Sequence, residues 1–266
     1  MALDSIDKLI AGLANSSKMR FYKPSLSNAA AGQLHSLWRS NGYPTNGVIP
    51  TTAAVCTDDT VGSWELPTPV GKNYIAKLSA VNSVACQVIL FDRLGAMGGL
   101  SGVLTTAQSV NMDVATQAAA GRCEADGGQV LWCLEWYTDT GSTAVTATVT
   151  YTNQDDVTGR TTTVALAATR RASTLLPILP NTSDIRIKSI QSVQLSATSG
   201  TAGNFGVTAL VRLAEMPLPI IGVGAIADYA SLALPDVTTT SCIMLGIVAA
   251  TTTTGNLLGS FEVIDG

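Results

Sequence analysis

Beyond Asn73 the apolar positions recur at every second residue. In the run TAVTATVTYT, Val145, Ala147, Val149 and Tyr151 point one way while Thr146, Thr148, Thr150 and Thr152 point the other. Such alternation, with β-branched threonine on the solvent side, predicts a half-buried antiparallel strand. The preceding run, LWCLEWYT, is apolar on both faces: Trp132, Leu134 and Trp136 on one, and Leu131, Cys133 and Tyr137 with Glu135 on the other. That pattern fits a central strand covered on each side. Asp139-Thr140-Gly141-Ser142 reads as a hairpin connection between the two strands, and NQDDVTG (153–159) as the next turn. Further strands are expected at 160–167, 185–197, 204–213, 243–250 and 257–264.

The same β-unit recurs. Residues 74–97 (YIAKLSAVNSVACQVILFDRLGAM) and 193–216 (VQLSATSGTAGNFGVTALVRLAEM) share a strand ending in Leu-Ser-Ala, a loop of small polar residues, a second strand, and Arg-Leu-x-x-Met. Arg93, Leu94 and Met97 thereby match Arg212, Leu213 and Met216. A further hairpin follows each copy, at 129–152 and 242–264, giving pseudo-repeats 74–152 and 186–264. The expected fold is all-β: an antiparallel sandwich or jelly roll of two pseudo-repeated four-stranded units, occupying residues 73–266. The strand-poor stretches 98–128 and 214–241 fall at equivalent places and are natural sites for subunit contacts.

Residues 1–72 read differently, as an N-terminal arm and extended loop. Ile6, Leu9, Ile10 and Leu13 fall on one face of a helix over 4–14, capped by Asp4 or Ser5 and ended at Asn15-Ser16-Ser17. A second helical turn is predicted over 29–38, with Leu34, Leu37 and Trp38 on one side. Between them lies the most basic and aromatic stretch, SKMRFYKPS, and residues 41–71, rich in Pro, Gly, Thr and Asn, form a loop.

Composition sharpens the picture. Only 13% of the 266 residues are charged, against roughly 25% in ordinary globular chains. Mean hydropathy is +0.30, so part of the surface is expected to be covered by copies of the chain or by a partner. The formal net charge of −4 offers no basic field for nucleic acid. The longest apolar stretch, Pro217–Ala227, is too short and too rich in Pro and Gly to span a bilayer. Asp4 and Asp7 with spaced apolar residues do not make a signal peptide, and synthesis in the cytoplasm is expected.

Candidate chemistry is sparse. The sole histidine, His35, has no nucleophile motif to serve and reads as structural. Asp58-Asp59 and Asp155-Asp156 fall in turns, where adjacent carboxylates diverge. The five cysteines show no zinc spacing; Cys86, Cys133 and Cys242 sit in apolar strands, and Cys56–Cys86 or Cys123–Cys133 are the pairings to consider after release from a cell. Trp64 or Tyr137 would carry a sugar-stacking site if the chain were a carbohydrate-binding module. No cofactor or metal site is expected, and the chain does not read as an enzyme.

Taken together, SIDKLIAGLAN with RFYKPS, LHSLWRSNGYP, LEWYTDTGSTAVTATVTYTN with GRTTTVAL, and SGTAGNFGVTALVRL with MPLPI make a chain that resembles virion structural proteins of tailed bacteriophages, particularly those that decorate or cement capsids. The resemblance implies a non-catalytic protein on the capsid surface, bound to the major capsid protein and to copies of itself. It also implies an arm that reaches over neighbouring subunits, anchored by Arg20, Phe21, Tyr22, Lys23, Trp38 and Arg39. Such contacts would bury roughly 1,200–2,000 Å² each. A tail, neck or baseplate component is the alternative within the same class.

Overall fold

A computed structural model describes Leu3 and residues 5–200 and 203–266. In chain order its strands begin with β1 (Ser17–Lys23), β2 (Leu34–Ser36), β3 (Ala54–Val55), β4 (Asn73–Asn82), β5 (Cys86–Ser101) and β6 (Gln108–Asp113). They continue with β7 (Val130–Trp136), β8 (Val145–Asn153), β9 (Arg160–Leu166), β10 (Leu175–Pro177), β11 (Ile187–Leu195) and β12 (Asn204–Leu218). Last come β13 (Ala225–Ala227), β14 (Asp236–Val237), β15 (Ile243–Ala249) and β16 (Leu257–Asp265). The helices are α1 (Ile6–Ala14), α2 (Ala115–Ala119) and α3 (Tyr229–Leu232).

The protein is an all-β sandwich. A central sheet runs β10-β7-β12-β5-β15-β2, with β3 on β5. Its two edge strands meet where His35 bridges Thr174 and the Ser36 N–H donates to Ser173 O at 2.7 Å. The sheet therefore curls until its edges touch. Two smaller sheets cover its outer face side by side: β1-β16-β4-β13, with β14 on β4, and β6-β11-β8-β9. Under the first lie Ile75, Leu78, Phe261, Leu90 and Ile247; under the second, Val149, Tyr151, Ile190, Trp136 and Phe205. Trp136 and Phe205 stack with ring centroids 4.6 Å apart, and Phe205→Ala would cost about 3–5 kcal/mol. The inner face of the curl holds a third cluster that includes Trp38, Phe91, Leu210 and Met244.

The four expected hairpins are not hairpins. In each pair (β4 and β5, β7 and β8, β11 and β12, β15 and β16) the two strands belong to different sheets and arch across the core. Local alternation is the same for an arch as for a hairpin. What differs is where the hydrogen bonds go, and here they go to distant strands.

The duplication itself is written into the pairing register. β5 and β12 pair antiparallel along their length, with Asp92 opposite Val211. Between Met97 and Met216 each pairing has a counterpart: Arg93 faces Leu210 as Arg212 faces Phe91, and Met97 faces Val207 as Met216 faces Val88. Leu94 and Leu213 are the unpaired residues of two equivalent bulges. The remaining strands obey the same pseudo-twofold. β7 and β15 flank the central pair, β10 and β2 flank those, and β8-β11 in one outer sheet answers β16-β4 in the other. β6 on β11 answers β13 on β4, and β9 on β8 answers β1 on β16. The second repeat is thus β11 through β16 completed by β1 and β2 from the other end of the chain.

That completion corrects the reading of the N-terminal region. Residues 17–23 are not an arm but β1, in register with β16 from Ser17–Val263 to Lys23–Leu257. The predicted turn of helix at 29–38 is instead β2, because Leu34, His35 and Ser36 pair with Val248, Ile247 and Gly246. Helix α1 forms where expected. Ser5 Oγ accepts from the Lys8 N–H at 3.3 Å and Asn15 Nδ2 donates to Ala11 O at 2.9 Å. The alternative cap, Asp4, lies outside the described residues. The stretches 98–128 and 214–241 are less strand-poor than predicted, since β5 and β12 run on to Ser101 and Leu218 and each is followed by a short strand and a short helix.

Candidate interaction surface

Several charged side chains of this chain are turned inward, Asp92, Arg93, Arg122 and Glu135 among them. Arg93 Nη2 donates to Glu135 Oε2 at 2.8 Å, both side chains being buried, and Thr208 Oγ1 donates to the same oxygen at 2.6 Å. Burial opposes the Glu135 charge, but Arg93 and these hydrogen bonds outweigh it and hold the carboxyl below its ordinary range. Arg122 grips Asp92 through Nε at 2.9 Å and Nη2 at 2.5 Å, and its Nη1 donates to Cys56 O at 2.6 Å. These pairs tie β5 to β7 and to the segment before it.

His35 is fully buried, and its Nε2 lies 3.0 Å from the Ala30 N–H. Burial, assisted by the Arg170 charge, lowers its pKa, so the imidazole is neutral at physiological pH. Asp155 and Asp156 diverge as expected: Asp156 pairs with Lys188 at 2.5 Å, while Asp155 takes Gln154 Nε2 at 2.7 Å. Among the described residues no three His, Cys, Asp or Glu converge as metal ligands. All five cysteines are free thiols. Trp64 and Tyr137 do not form a sugar platform. Both are buried, Trp64 edge-on to Phe261 at 5.1 Å with Nε1 on Arg20 O at 2.9 Å, and Tyr137 beneath the Arg39 guanidinium at 5.5 Å.

Of the six expected anchors, three are committed to their own subunit. Phe21 and Trp38 are core residues. Lys23 is buried, its Nζ donating to Pro44 O at 2.8 Å and Ser40 O at 3.1 Å, and burial brings its pKa down to about 8. Arg39 is exposed but donates to Tyr137 O at 2.6 Å. Arg20 and Tyr22 project from the outer face of β1.

On that face the sequence reading missed the principal feature. Tyr22, Leu258 and Val81 lie in one row across β1, β16 and β4, and Ile226 extends the next row from β13. Tyr22 is 42% exposed, Leu258 46% and Ile226 67%. The connection from β12 to β13 adds exposed Ile220, Ile221 and Val223, turned by Gly222 at φ 71°. Charge enters at Arg20, which shares the row of Ile226, and at the far end, where Lys18 and Lys77 flank Glu262 at 3.6 and 3.3 Å. The pseudo-symmetric sheet is unlike this. Its outer face carries Thr148 opposite Thr163 and Thr150 opposite Thr161. The apolar stretch Pro217–Ala227 supplies Ile220, Ile221, Val223 and Ile226, while Tyr22, Val81 and Leu258 come from distant parts of the chain.

No family model matches this chain, and no curated protein is significantly similar to it. Among solved structures it is similar to the infectious bursal disease virus Gt strain particle, at 12% identity over 94% of this chain and 81% of that one, with a TM-score of 0.20. The VP2 subviral particle of the same virus gives 12% identity over 94% and 80%, also at 0.20. A T=1 particle derived from that virus gives 11% over 94% and 77%, at 0.18. Superposition that poor fixes neither the fold nor the role of this chain. The sandwich stands on its own strand pairing.

Proposed function

We propose that this chain is a non-catalytic structural protein of a phage virion, one that binds and stabilises the capsid as a decoration or cement protein. The observation that carries the reading is the divergence of two duplicated sheets. One outer face is coated with threonine, whereas its counterpart presents Tyr22, Leu258 and Ile226 beside Ile220 and Ile221. A contiguous apolar patch of this kind on a sheet face marks a protein contact. The scarcity of charge across the chain fits burial against other polypeptides. The partners in this reading are the major capsid protein and neighbouring copies of the chain.

Purified heads lacking tails test it. The protein should sediment with them in a copy number that scales with the capsid lattice, and its removal should leave heads prone to bursting. Its absence from heads, or a ring of copies confined to one vertex, would overturn the capsid-wide role.

A further inference from the structure

Two thiols meet inside the curl of the central sheet. β3 and β15 lie end to end along one edge of β5, with Ala54 and Val55 opposite Ala96 and Gly95, and Ile243 opposite Asp92. Cys56 follows the first strand and Cys242 precedes the second. The Cys56 N–H donates to Leu94 O at 3.1 Å, and Cys242 O accepts from the Arg93 N–H at 2.8 Å. Neighbouring positions on β5 therefore hold the two cysteines side by side, and a disulfide between them requires Cα atoms roughly 4.4–6.8 Å apart. Both side chains belong to the inner cluster with Trp38 and Met244.

The two sulfurs differ in reactivity. The neighbouring Cys242 brings the Cys56 thiol down to about 7; burial opposes this, and the Arg93 and Arg122 charges assist it. Burial pushes Cys242 well above its ordinary value, with the contact to Cys56 adding to the effect. Burial likewise raises Cys86, Cys123 and Cys133.

We propose that Cys56 and Cys242 form a peroxide-responsive dithiol, with Cys56 as the attacking sulfur and Cys242 as the resolving one. The Cys56 thiolate attacks one oxygen of hydrogen peroxide; the O–O bond breaks, hydroxide leaves, and Cys56 becomes a sulfenic acid. The Cys242 sulfur then attacks the Cys56 sulfur, displacing its hydroxyl. With the two thiol protons, the two displaced oxygens leave as water. Two thiols are oxidised to one disulfide and one peroxide is reduced to two waters. The bond fastens the irregular segment around Cys56 to β15. At 3% and 0% exposure the pair is closed to bulky disulfides, so the oxidant in this proposal is the small peroxide.

The test is peroxide treatment of the folded protein, followed by alkylation under denaturing conditions and peptide mass mapping. The expected product is a Cys56–Cys242 cross-linked peptide, two hydrogens lighter than the reduced pair, with Cys133 still alkylatable. A bulky aromatic disulfide reagent applied to the folded protein should leave both residues unreacted. Cys242→Ser should stop the reaction at Cys56 sulfenic acid, trapped by a cyclic diketone, and Cys56→Ser should yield neither adduct nor cross-link. The proposal is overturned if wild-type Cys56 and Cys242 both remain alkylatable while Cys86 or Cys123 oxidises. It is overturned equally if Cys242 is the residue trapped as sulfenic acid. The wild-type map decides even where a variant fails to fold.

Discussion

Arg93 and Arg212 occupy equivalent positions in the two repeats, yet Arg93 is wholly buried and the Arg212 side chain is 63% exposed. The first sits 5.0 Å over the Trp38 ring and pairs with Glu135 inside the curled sheet; the second reaches Glu215 at 3.0 Å on the surface. Breaking a buried pair leaves an uncompensated charge out of water, so Glu135→Gln should lower unfolding free energy by about 3–5 kcal/mol. Arg212→Ala should change it by no more than about 0.5 kcal/mol. Urea denaturation of the two variants checks the contrast. Equal midpoints for both would refute it.

Asp184 gives the fold an acid-sensitive clasp. Its Oδ2 accepts from Arg160 Nε at 2.8 Å and from the Tyr151 hydroxyl at 2.5 Å, and its Oδ1 from Asn153 Nδ2 at 2.8 Å. The Arg160 hydrogen bond, then those of Tyr151 and Asn153, hold the carboxyl down at about 2. A carboxyl depressed in the folded state contributes fully above its ordinary pKa of 3.8, and that contribution fades as pH falls toward 2. Wild-type Tm should therefore fall between about pH 4 and pH 2, and Asp184→Asn should flatten that part of the profile while lowering Tm at neutral pH. A parallel decline in both proteins would place the acid sensitivity elsewhere.

How much of this was legible follows from which forces are local. Val145, Ala147, Val149 and Tyr151 were readable because one buried face imposes period two. Arg-Leu-x-x-Met was readable because its leucine is the bulge residue in each long strand, a position both repeats must fill alike. β2 was misread as helix since Leu34, Leu37 and Trp38 also fit a helical spacing. Only pairing with β15, far along the chain, decides otherwise. In β1 the alternation of Met19, Phe21 and Lys23 inward against Lys18, Arg20 and Tyr22 outward was available. Lys23, a cation pointing inward to two carbonyls, disguised it. The apolar row on the first outer sheet was illegible for a different reason. It gathers Tyr22, Val81, Ile226 and Leu258 from four strands, and no stretch of sequence contains it.

That row is the element on which the proposed role depends. Ile226→Asp and Leu258→Asp place charge on exposed positions and should leave urea stability within about 0.5 kcal/mol of wild type. Their effect should fall on association. Added to stripped heads, the double variant should no longer co-sediment, whereas Thr148→Asp with Thr163→Asp, on the threonine-coated counterpart, should bind as wild type does. Loss of binding in the threonine variant alone would move the contact to the other sheet.

The wrap of the second repeat onto the N-terminus makes a further claim about the chain. If β1 and β2 belong with β11 through β16, the two ends should tolerate being joined. The geometry permits it: Leu3 lies against Gly266, close enough that a Cβ at Gly266 would sit 2.3 Å from Leu3 Cγ, and Lys72 N–H donates to Gly266 O at 3.0 Å. The seam between the repeats is the connection from β10 to β11, where Leu179 is 68% exposed. A circular permutant opened between Leu179 and Pro180, with a short glycine linker joining the former termini, would place each repeat in one uninterrupted stretch. It should fold with the wild-type far-ultraviolet dichroism and a comparable urea midpoint. A control opened between β15 and β12, at the α3 turn, cuts one repeat internally and should be the less stable of the two. The reverse ranking would mean that the seam has been drawn in the wrong place.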